Sequence, residues 1–143
     1  MKLSLGCDHG GYLLKEEIKT YLLSLGHEVV DCGTNSLDSC NYPVFARAAA
    51  KKVASKECEL GILICTSGEG VGMTANKVKG GRCGLVYNID VAHLIREHND
   101  ANMMAIGAKF TSLETAKEYV DTFLNAKFEG GRHVLRVQLI EEE

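Results

Sequence analysis

One cysteine stands directly before a glycine-rich turn. Cys65 ends the apolar run LGILIC and is followed by Ser67, Gly68 and Gly70. A helix N-terminus favours the thiolate form of a nearby cysteine, which can then act as a nucleophile or as a general base. The backbone N–H groups of such a turn can hold an anion or a developing oxyanion. The stretch predicts a reactive sulfur beside a bound anion, and the alternative is an inert core cysteine at the end of a strand.

The spacing within this turn excludes three familiar phosphate loops. The P-loop pattern G-x-x-x-x-G-K-[ST] is absent. The evenly spaced Gly68, Gly70 and Gly72 do not match the dinucleotide fingerprint G-x-G-x-x-G. A cysteine phosphatase needs an arginine six residues after the thiol, where this chain has Val71. What remains is a turn between a strand and a helix that can hold an anion through its backbone.

Two other polar segments carry residue types suited to sugar or proton chemistry. Asp8 and His9 follow the first predicted strand and precede two glycines; the alternative is a helix cap by Asp8 beside a solvated His9. His98, in the segment EHNDAN, is predicted to end a helix at the ligand-binding edge, where an imidazole suits proton transfer near neutral pH. The alternative for His98 is a core histidine, because it continues the apolar stripe of its helix.

Two arginines near the end of the chain form a candidate phosphate clamp. Arg132 and Arg136 are four residues apart and share one face if the segment is helical. Only five arginines occur in the chain, and guanidinium groups bind phosphate through two parallel hydrogen bonds. The alternative is a solvated tail with ordinary surface charges.

Short apolar runs alternate with amphipathic stretches along the chain. The predicted strands are KLSLGC (2–7), HEVVDCG (27–33), LGILIC (60–65), CGLVY (83–87) and MMAIG (103–107). The predicted helices span 10–25, 42–55, 72–78, 90–98 and 112–126. The continuous apolar run LGILIC is typical of a central parallel strand that is buried on both faces.

This alternation predicts an α/β three-layer sandwich with a five-stranded parallel sheet, Rossmann-like and doubly wound, in a single domain over 1–143. Ligands bind such sheets beyond the carboxyl ends of the strands. The segments expected at that edge are CDHGG, DCGTNS, CTSGEGVG, YNID and GAKF.

Composition excludes several classes of partner. The net charge of −3 gives no broad electrostatic reason to bind nucleic acid or an anionic membrane. No apolar stretch is long enough for a bilayer span or a secretory signal, so a cytoplasmic protein is expected. The six cysteines form no C-x-x-C pair and the sequence lacks the two close ligand pairs of a zinc site, so disulfides and a zinc site are not expected. All of them except Cys65 are expected to be small buried hydrophobes.

Taken together, these segments resemble the ribose-5-phosphate isomerase B family, which includes the galactose-6-phosphate isomerase subunits. The motifs that carry the resemblance are GCDHGGYLLKEEI, NYP, GILIC-x-S-G-x-G, ANKVKGGR, REHNDAN and FEGGRHVLRV, over about residues 2–138. The resemblance implies strand order 2-1-3-5-4 and no metal or organic cofactor. It also implies a homodimer or tetramer whose active sites are shared between subunits, with the segment at about 130–140 packed at a subunit interface.

The resemblance also implies residue roles. Cys65 matches the base that moves a proton between C2 and C1 through an enediolate, His98 matches the acid that opens the sugar ring, and Ser67 belongs to the catalytic turn. The residues that match substrate contacts are Asp8, His9, Tyr42, Thr66, Ser67, Gly68, Glu69, Gly70, Asn99, Lys109, Arg132 and Arg136. The chain departs from the usual family residues at Asn41, Thr66, Glu69 and Lys109, which leaves the sugar preference open.

The sequence therefore favours a cofactor-independent aldose–ketose isomerase that interconverts ribose 5-phosphate and ribulose 5-phosphate. Abstracting a carbon-bound proton needs a positioned base, a donor for the enediolate oxygens and a dry pocket. A hexose 6-phosphate, such as allose or galactose 6-phosphate, is the alternative substrate. From a different class, the alternative is a non-catalytic sensor of sugar phosphates, for which Cys65 would be dispensable.

Overall fold

The computed structural model describes residues 1–142, which form five strands, six α-helices and a short 3₁₀ helix at Ala108–Phe110. The strands are β1 (Lys2–Cys7), β2 (Glu28–Asp31), β3 (Leu60–Cys65), β4 (Cys83–Leu85) and β5 (Met103–Gly107). The helices are α1 (Tyr12–Ser24), α2 (Tyr42–Ala54), α3 (Glu69–Asn76), α4 (Ile89–Glu97), α5 (Leu113–Asn125) and α6 (His133–Glu141).

All strand pairs in the sheet are parallel. The spatial order is β2-β1-β3-β5-β4, which confirms the doubly wound three-layer sandwich and the implied strand order. Every residue of β3 is buried, as its apolar run predicts. The carboxyl ends of neighbouring strands meet, because Cys65 pairs with Gly107 and Cys7 pairs with Ile64.

The two faces of the sheet bury separate apolar cores. On one face, α1, α4 and α5 contribute Ile18, Ala92 and Phe123. On the other, α2 packs very closely through small residues, since a Cβ on Gly6 would lie only 2.9 Å from the Ala49 Cβ. Fully burying each aliphatic or aromatic core side chain contributes about 1.5–3 kcal/mol, so the sheet is a rigid platform for the loops at its ends.

Two helices differ from the sequence prediction. Helix α3 begins at Glu69 rather than 72, because Gly68 adopts a left-handed conformation (φ +80°) that turns the chain into the helix directly. The C-terminal α6 follows α5 as an additional helix. Its far end is held by Arg82, whose Nη1 lies 2.5 Å from Glu141 Oε1.

The six cysteines differ in how deeply they are buried. All six cysteines are free. Cys7 and Cys58 are buried as predicted, whereas Cys32, Cys40 and Cys83 are partly exposed because they lie in loops or on the short edge strand β4. Within residues 1–142, no helix combines the length and apolar character needed to span a bilayer.

Candidate active site

Cys65 is the last residue of β3 and lies beneath the turn that follows it. It is only 5% exposed, and the Gly68 N–H donates a hydrogen bond to its Sγ at 3.2 Å. The left-handed backbone of Gly68 allows this contact, and a Cβ at that position would lie 2.9 Å from the carbonyl carbon of Ile106. A glycine here thus lets one backbone donor point at the sulfur where α3 begins.

The turn after Cys65 combines a hydroxyl with a helix N-terminus. Ser67 Oγ accepts a hydrogen bond from the Glu69 N–H at 3.2 Å. Thr66 and Glu69 are exposed, and Glu69 and Gly70 open the first turn of α3. The leading N–H groups of a helix have no carbonyl partner within it, and its dipole favours a bound anion. The predicted anion-holding turn therefore lies at a helix N-terminus, with the Glu69 carboxylate in the same first turn.

The loop after β1 packs directly against this turn. Asp8 is buried, and its Oδ1 accepts hydrogen bonds from the N–H groups of Gly10 and Gly11 at 2.9 and 3.2 Å. A Cβ on Gly10 would lie 2.2 Å from Thr66 Oγ1, so the two loops touch. The Cys40 N–H donates to His9 Nδ1 at 3.2 Å, so a neutral His9 carries its proton on Nε2. The N-cap of α1 is Gly11 without a side-chain hydrogen bond, so the alternative of a helix cap by Asp8 is wrong. Asp8 instead organises the loop at the same edge as Cys65.

Tyr42 and Lys109 complete this edge of the sheet. The Tyr42 ring packs on Gly70, where a Cβ would lie 2.4 Å from Tyr42 Cε1. The Lys109 N–H donates to the Thr66 carbonyl at 3.0 Å, which ties the loop after β5 to the turn. A groove of about 610 Å³, lined in part by Gly10, Thr66 and Lys109, lies beside these loops.

A buried ion-pair network supports the loop after β1. Lys15, 1% exposed, contacts Asp31 at 2.7 Å and Glu16 at 2.9 Å. Desolvation alone would raise the pKa of Asp31, but hydrogen bonds from Lys15 and Lys19 outweigh it and hold that pKa below its ordinary value. Burial raises the pKa of the neighbouring Cys7 thiol to about 12, so Cys7 is not a thiolate at neutral pH.

His98 and Asn99 lie at the opposite edge, so the prediction that His98 ends its helix at the ligand-binding edge is wrong. Helix α4 starts beyond the carboxyl end of β4 and must run back along the sheet to reach the start of β5. Asn102, three residues after Asn99, accepts a hydrogen bond at its backbone carbonyl from the Gly61 N–H at the beginning of β3. This bond places the end of α4 near the amino ends of the strands. The four steps from Gly61 to Cys65 span about 13 Å along the strand.

His98 stacks on a histidine that the sequence interpretation did not single out. The His98 and His133 rings are 4.3 Å apart at their centroids and 15° from parallel. The Glu129 N–H donates to the Glu97 carbonyl at 2.9 Å, which fixes the segment before α6 against the end of α4. His133 follows Arg132 in the motif FEGGRHVLRV, but the motif does not indicate that it stacks on His98. That contact is visible only in the tertiary structure.

The two candidate clamp residues accompany His133. Arg132 has helical backbone angles and immediately precedes α6, and Arg136 lies in the first turn. Both are exposed, and helical geometry places residues four apart on one face. The structure thus separates the predicted residues into two groups. The carboxyl-edge group is Asp8, His9, Tyr42, Thr66, Ser67, Gly68, Glu69, Gly70 and Lys109 around Cys65, and the second group is His98, Asn99, Arg132 and Arg136.

Comparison with known proteins gives a consistent result. A family described as Ribose/Galactose Isomerase matches residues 3–140. The chain is 45% identical over 139 residues to ribose-5-phosphate isomerase B of Escherichia coli, covering 97% of this chain and 93% of that protein. It is 42% identical over 128 residues to the galactose-6-phosphate isomerase subunit LacB of Clostridium acetobutylicum, covering 90% of this chain and 74% of that protein.

A solved structure matches the fold at the same level. Ribose-5-phosphate isomerase B from Mycoplasma genitalium, with bound ribulose-5-phosphate, superposes with a TM-score of 0.94 at 41% identity. The match covers 98% of this chain and 93% of that one.

Proposed function

The chain belongs to the ribose/galactose isomerase family, and from that premise we propose that it interconverts ribose 5-phosphate and ribulose 5-phosphate. It is an aldose–ketose isomerase of the ribose-5-phosphate isomerase B type. The single observation that carries the proposed mechanism is the Gly68 N–H pointing at the Cys65 sulfur beneath a helix N-terminus.

In this mechanism the Cys65 thiolate takes the proton from C2 of the open-chain aldose. The electron pair of the C–H bond forms the C1–C2 double bond of an enediolate, and negative charge develops on the sugar oxygens. Ser67 and the backbone N–H groups at the start of α3 stabilise that charge. The hydroxyl proton on the C2 oxygen passes to the C1 oxygen, and Cys65 returns the carbon-bound proton to C1. The product is the ketose, and the overall oxidation state does not change.

Ring opening and phosphate binding are assigned to the second group of residues. His98 serves as the acid that opens the ring, Asn99 contacts the sugar, and Arg132 and Arg136 bind the phosphate. One chain holds His98 at the edge opposite Cys65, so we assign these residues to the site of a partner subunit. Each homodimer then contains two sites, each built from two chains.

The surface of α6 supports this assembly. Four apolar side chains of this helix are at least 41% exposed, namely Val134, Leu135, Leu139 and Ile140. Leu135 and Leu139 are four residues apart and share one face of the helix, and exposed apolar surface is typical of a protein–protein interface. The segment 130–140 would then cover the partner's carboxyl edge and help to exclude water from the enediolate.

A hexose 6-phosphate remains the second candidate substrate, because the LacB subunit matches nearly as well as the isomerase B relative. Both residue groups occur in this one chain, so it needs no unlike subunit to complete a site. This self-sufficiency favours the ribose-5-phosphate assignment.

The test is a substrate panel on the wild type, Cys65→Ala and the control Cys58→Ala. Cys58 is buried at the end of the sheet opposite Cys65, and burial raises its pKa. We expect the highest kcat/KM for pentose 5-phosphates. We expect Cys65→Ala to lose at least about a hundredfold in kcat with little change in KM, the scale of a positioned general base.

Cys58→Ala should keep near-normal turnover, because its sulfur takes no part in the reaction. Near-normal turnover of Cys65→Ala would contradict the mechanism and favour a sugar-phosphate sensor. A higher kcat/KM for hexose 6-phosphates would reassign the substrate.

A further inference from the structure

Three side chains from two separate segments converge at the end of α4. His98, Glu129 and His133 each offer one potential metal-ligating atom, and these atoms all lie within 4.8 Å of one another. We refer to them as the His98–Glu129–His133 cluster. Two imidazoles and one carboxylate form a donor set that suits zinc and similar divalent transition metals.

His133 has an unpartnered nitrogen inside this cluster. The residue is 5% exposed, and its Nε2 makes no hydrogen bond. Glu129 Oε2 lies 3.4 Å away, which is within ion-pair distance but outside hydrogen-bond geometry. A buried polar atom without a partner is costly, and coordination of a metal would satisfy it.

The distances are close to those of a metal site. Tetrahedral zinc binds nitrogen and oxygen at about 2.0–2.2 Å, which places neighbouring ligand atoms about 3.3 Å apart. The Glu129 Oε2 lies 3.4 Å from His133 Nε2 and 3.9 Å from His98 Nε2. Both separations are therefore near the spacing of ligand atoms around zinc.

One ring must turn for both histidines to bind the same ion. The lone pair of an imidazole lies in the plane of its ring, and the two rings are only 15° from parallel. The His133 side chain is 6% exposed and held by packing, whereas the His98 side chain is 35% exposed at the end of α4. His98 is thus the ring that can rotate. Glu97 Oε1, 3.5 Å from His98 Nε2, adds a second negative group next to the ion.

We propose that the His98–Glu129–His133 cluster binds a divalent transition-metal ion of the zinc class, and that the bound ion inhibits the isomerase. The ion binds Nε2 of His98, and the ring turns away from the His133 ring to reach it. A metal-bound Nε2 carries no proton, so His98 can no longer donate one to the sugar. The inhibition rests on the proposed role of His98, whereas the binding itself does not.

Binding is tested by titrating metal-stripped protein with Zn²⁺ in a calorimeter and with Co²⁺ by visible absorption. We expect one ion per chain and the absorption of a tetrahedral cobalt site. Glu129→Gln and His133→Gln should each weaken binding at least about tenfold, because each removes a ligand. His27→Ala is the control, since His27 contacts the amino terminus and lies outside the cluster.

Failure to bind Zn²⁺ would overturn the proposal. Binding that is unchanged in both Glu129→Gln and His133→Gln would also overturn it, because such zinc would be held elsewhere, for example by the thiols of Cys40 or Cys65. Glu129 is half exposed, so Glu129→Gln keeps the test valid if His133→Gln does not fold.

Activity assays separate the two parts of the proposal. Zn²⁺ should inhibit wild type and His27→Ala, EDTA should reverse the inhibition, and Glu129→Gln should need at least about tenfold more zinc. If zinc binds at the cluster without inhibiting, the metal site stands and the assignment of His98 as the acid is wrong.

Discussion

Mixing two inactive variants tests whether Cys65 and His98 serve one site from different chains. Within one chain the two residues lie at opposite edges of the sheet. The length of β3 from Gly61 to Cys65 separates these edges by about 13 Å. A general base or acid must approach the proton it transfers to about 3 Å. We therefore expect Cys65→Ala and His98→Ala to be nearly inactive alone, each at or below about 1% of wild-type turnover.

Random reassortment of two homodimers makes about half of the molecules heterodimers. In a heterodimer, one site carries both substitutions and the other carries neither. Because about half of the molecules are heterodimers and each has one intact site of two, the mixture should reach about one quarter of wild-type activity per chain. That is roughly 25-fold above the activity of either parent variant.

The assay is the rate of ketose formation after denaturant-free subunit exchange, with heterodimer content measured by native mass spectrometry. A mixture of Cys65→Ala with Cys65→Ser is the matched control, because every site in it lacks the thiol. Absence of recovery despite measured exchange would refute the shared site, and it would require a large movement of α4 within one chain.

Three further outcomes follow from the structure. Gly68→Ala should lower kcat and reduce the free energy of unfolding by at least about 1 kcal/mol. The control is Gly26→Ala, which is also at positive φ but has no atom near its Cβ. It should keep its kcat in steady-state assays. Asp31→Asn should cost about 2–3 kcal/mol in urea unfolding at pH 7 because it leaves Lys15 poorly paired. Glu57→Gln, in an exposed pair with Lys52, should leave the urea midpoint nearly unchanged. Since the pKa of Asp31 is lowered on folding, its stabilisation should be full above about pH 4 and fade as pH falls further, and an Asp31→Asn deficit unchanged at low pH would contradict this. Exhaustive chelation should leave turnover intact, and a loss that Mg²⁺ or Mn²⁺ restores would contradict the enediolate mechanism.

The sheet and the Cys65 turn were predictable because their signals are local. Buried parallel strands are continuous apolar runs and the helices between them are amphipathic, so periodicity alone separates the two. Cys65 and Gly68 are three residues apart in the sequence, and their contact needs only a strand end and a left-handed glycine. The exact start of α3 was not predictable, because Glu69 and Gly70 read as residues of the glycine-rich turn but lie within the helix.

The amino-acid sequence by itself determined the α/β class, the strand order implied by its motifs, and the residues that gather around Cys65. The location of His98 follows from the order of the elements, and only the tertiary structure decided what it touches. A helix that follows a parallel strand must return along the sheet, so its last residue lies at the edge opposite the strand end. The contact of His98 with His133 and Glu129 joins segments distant in the chain. No local periodicity encodes such a contact, because it arises where the segment before α6 meets the end of α4.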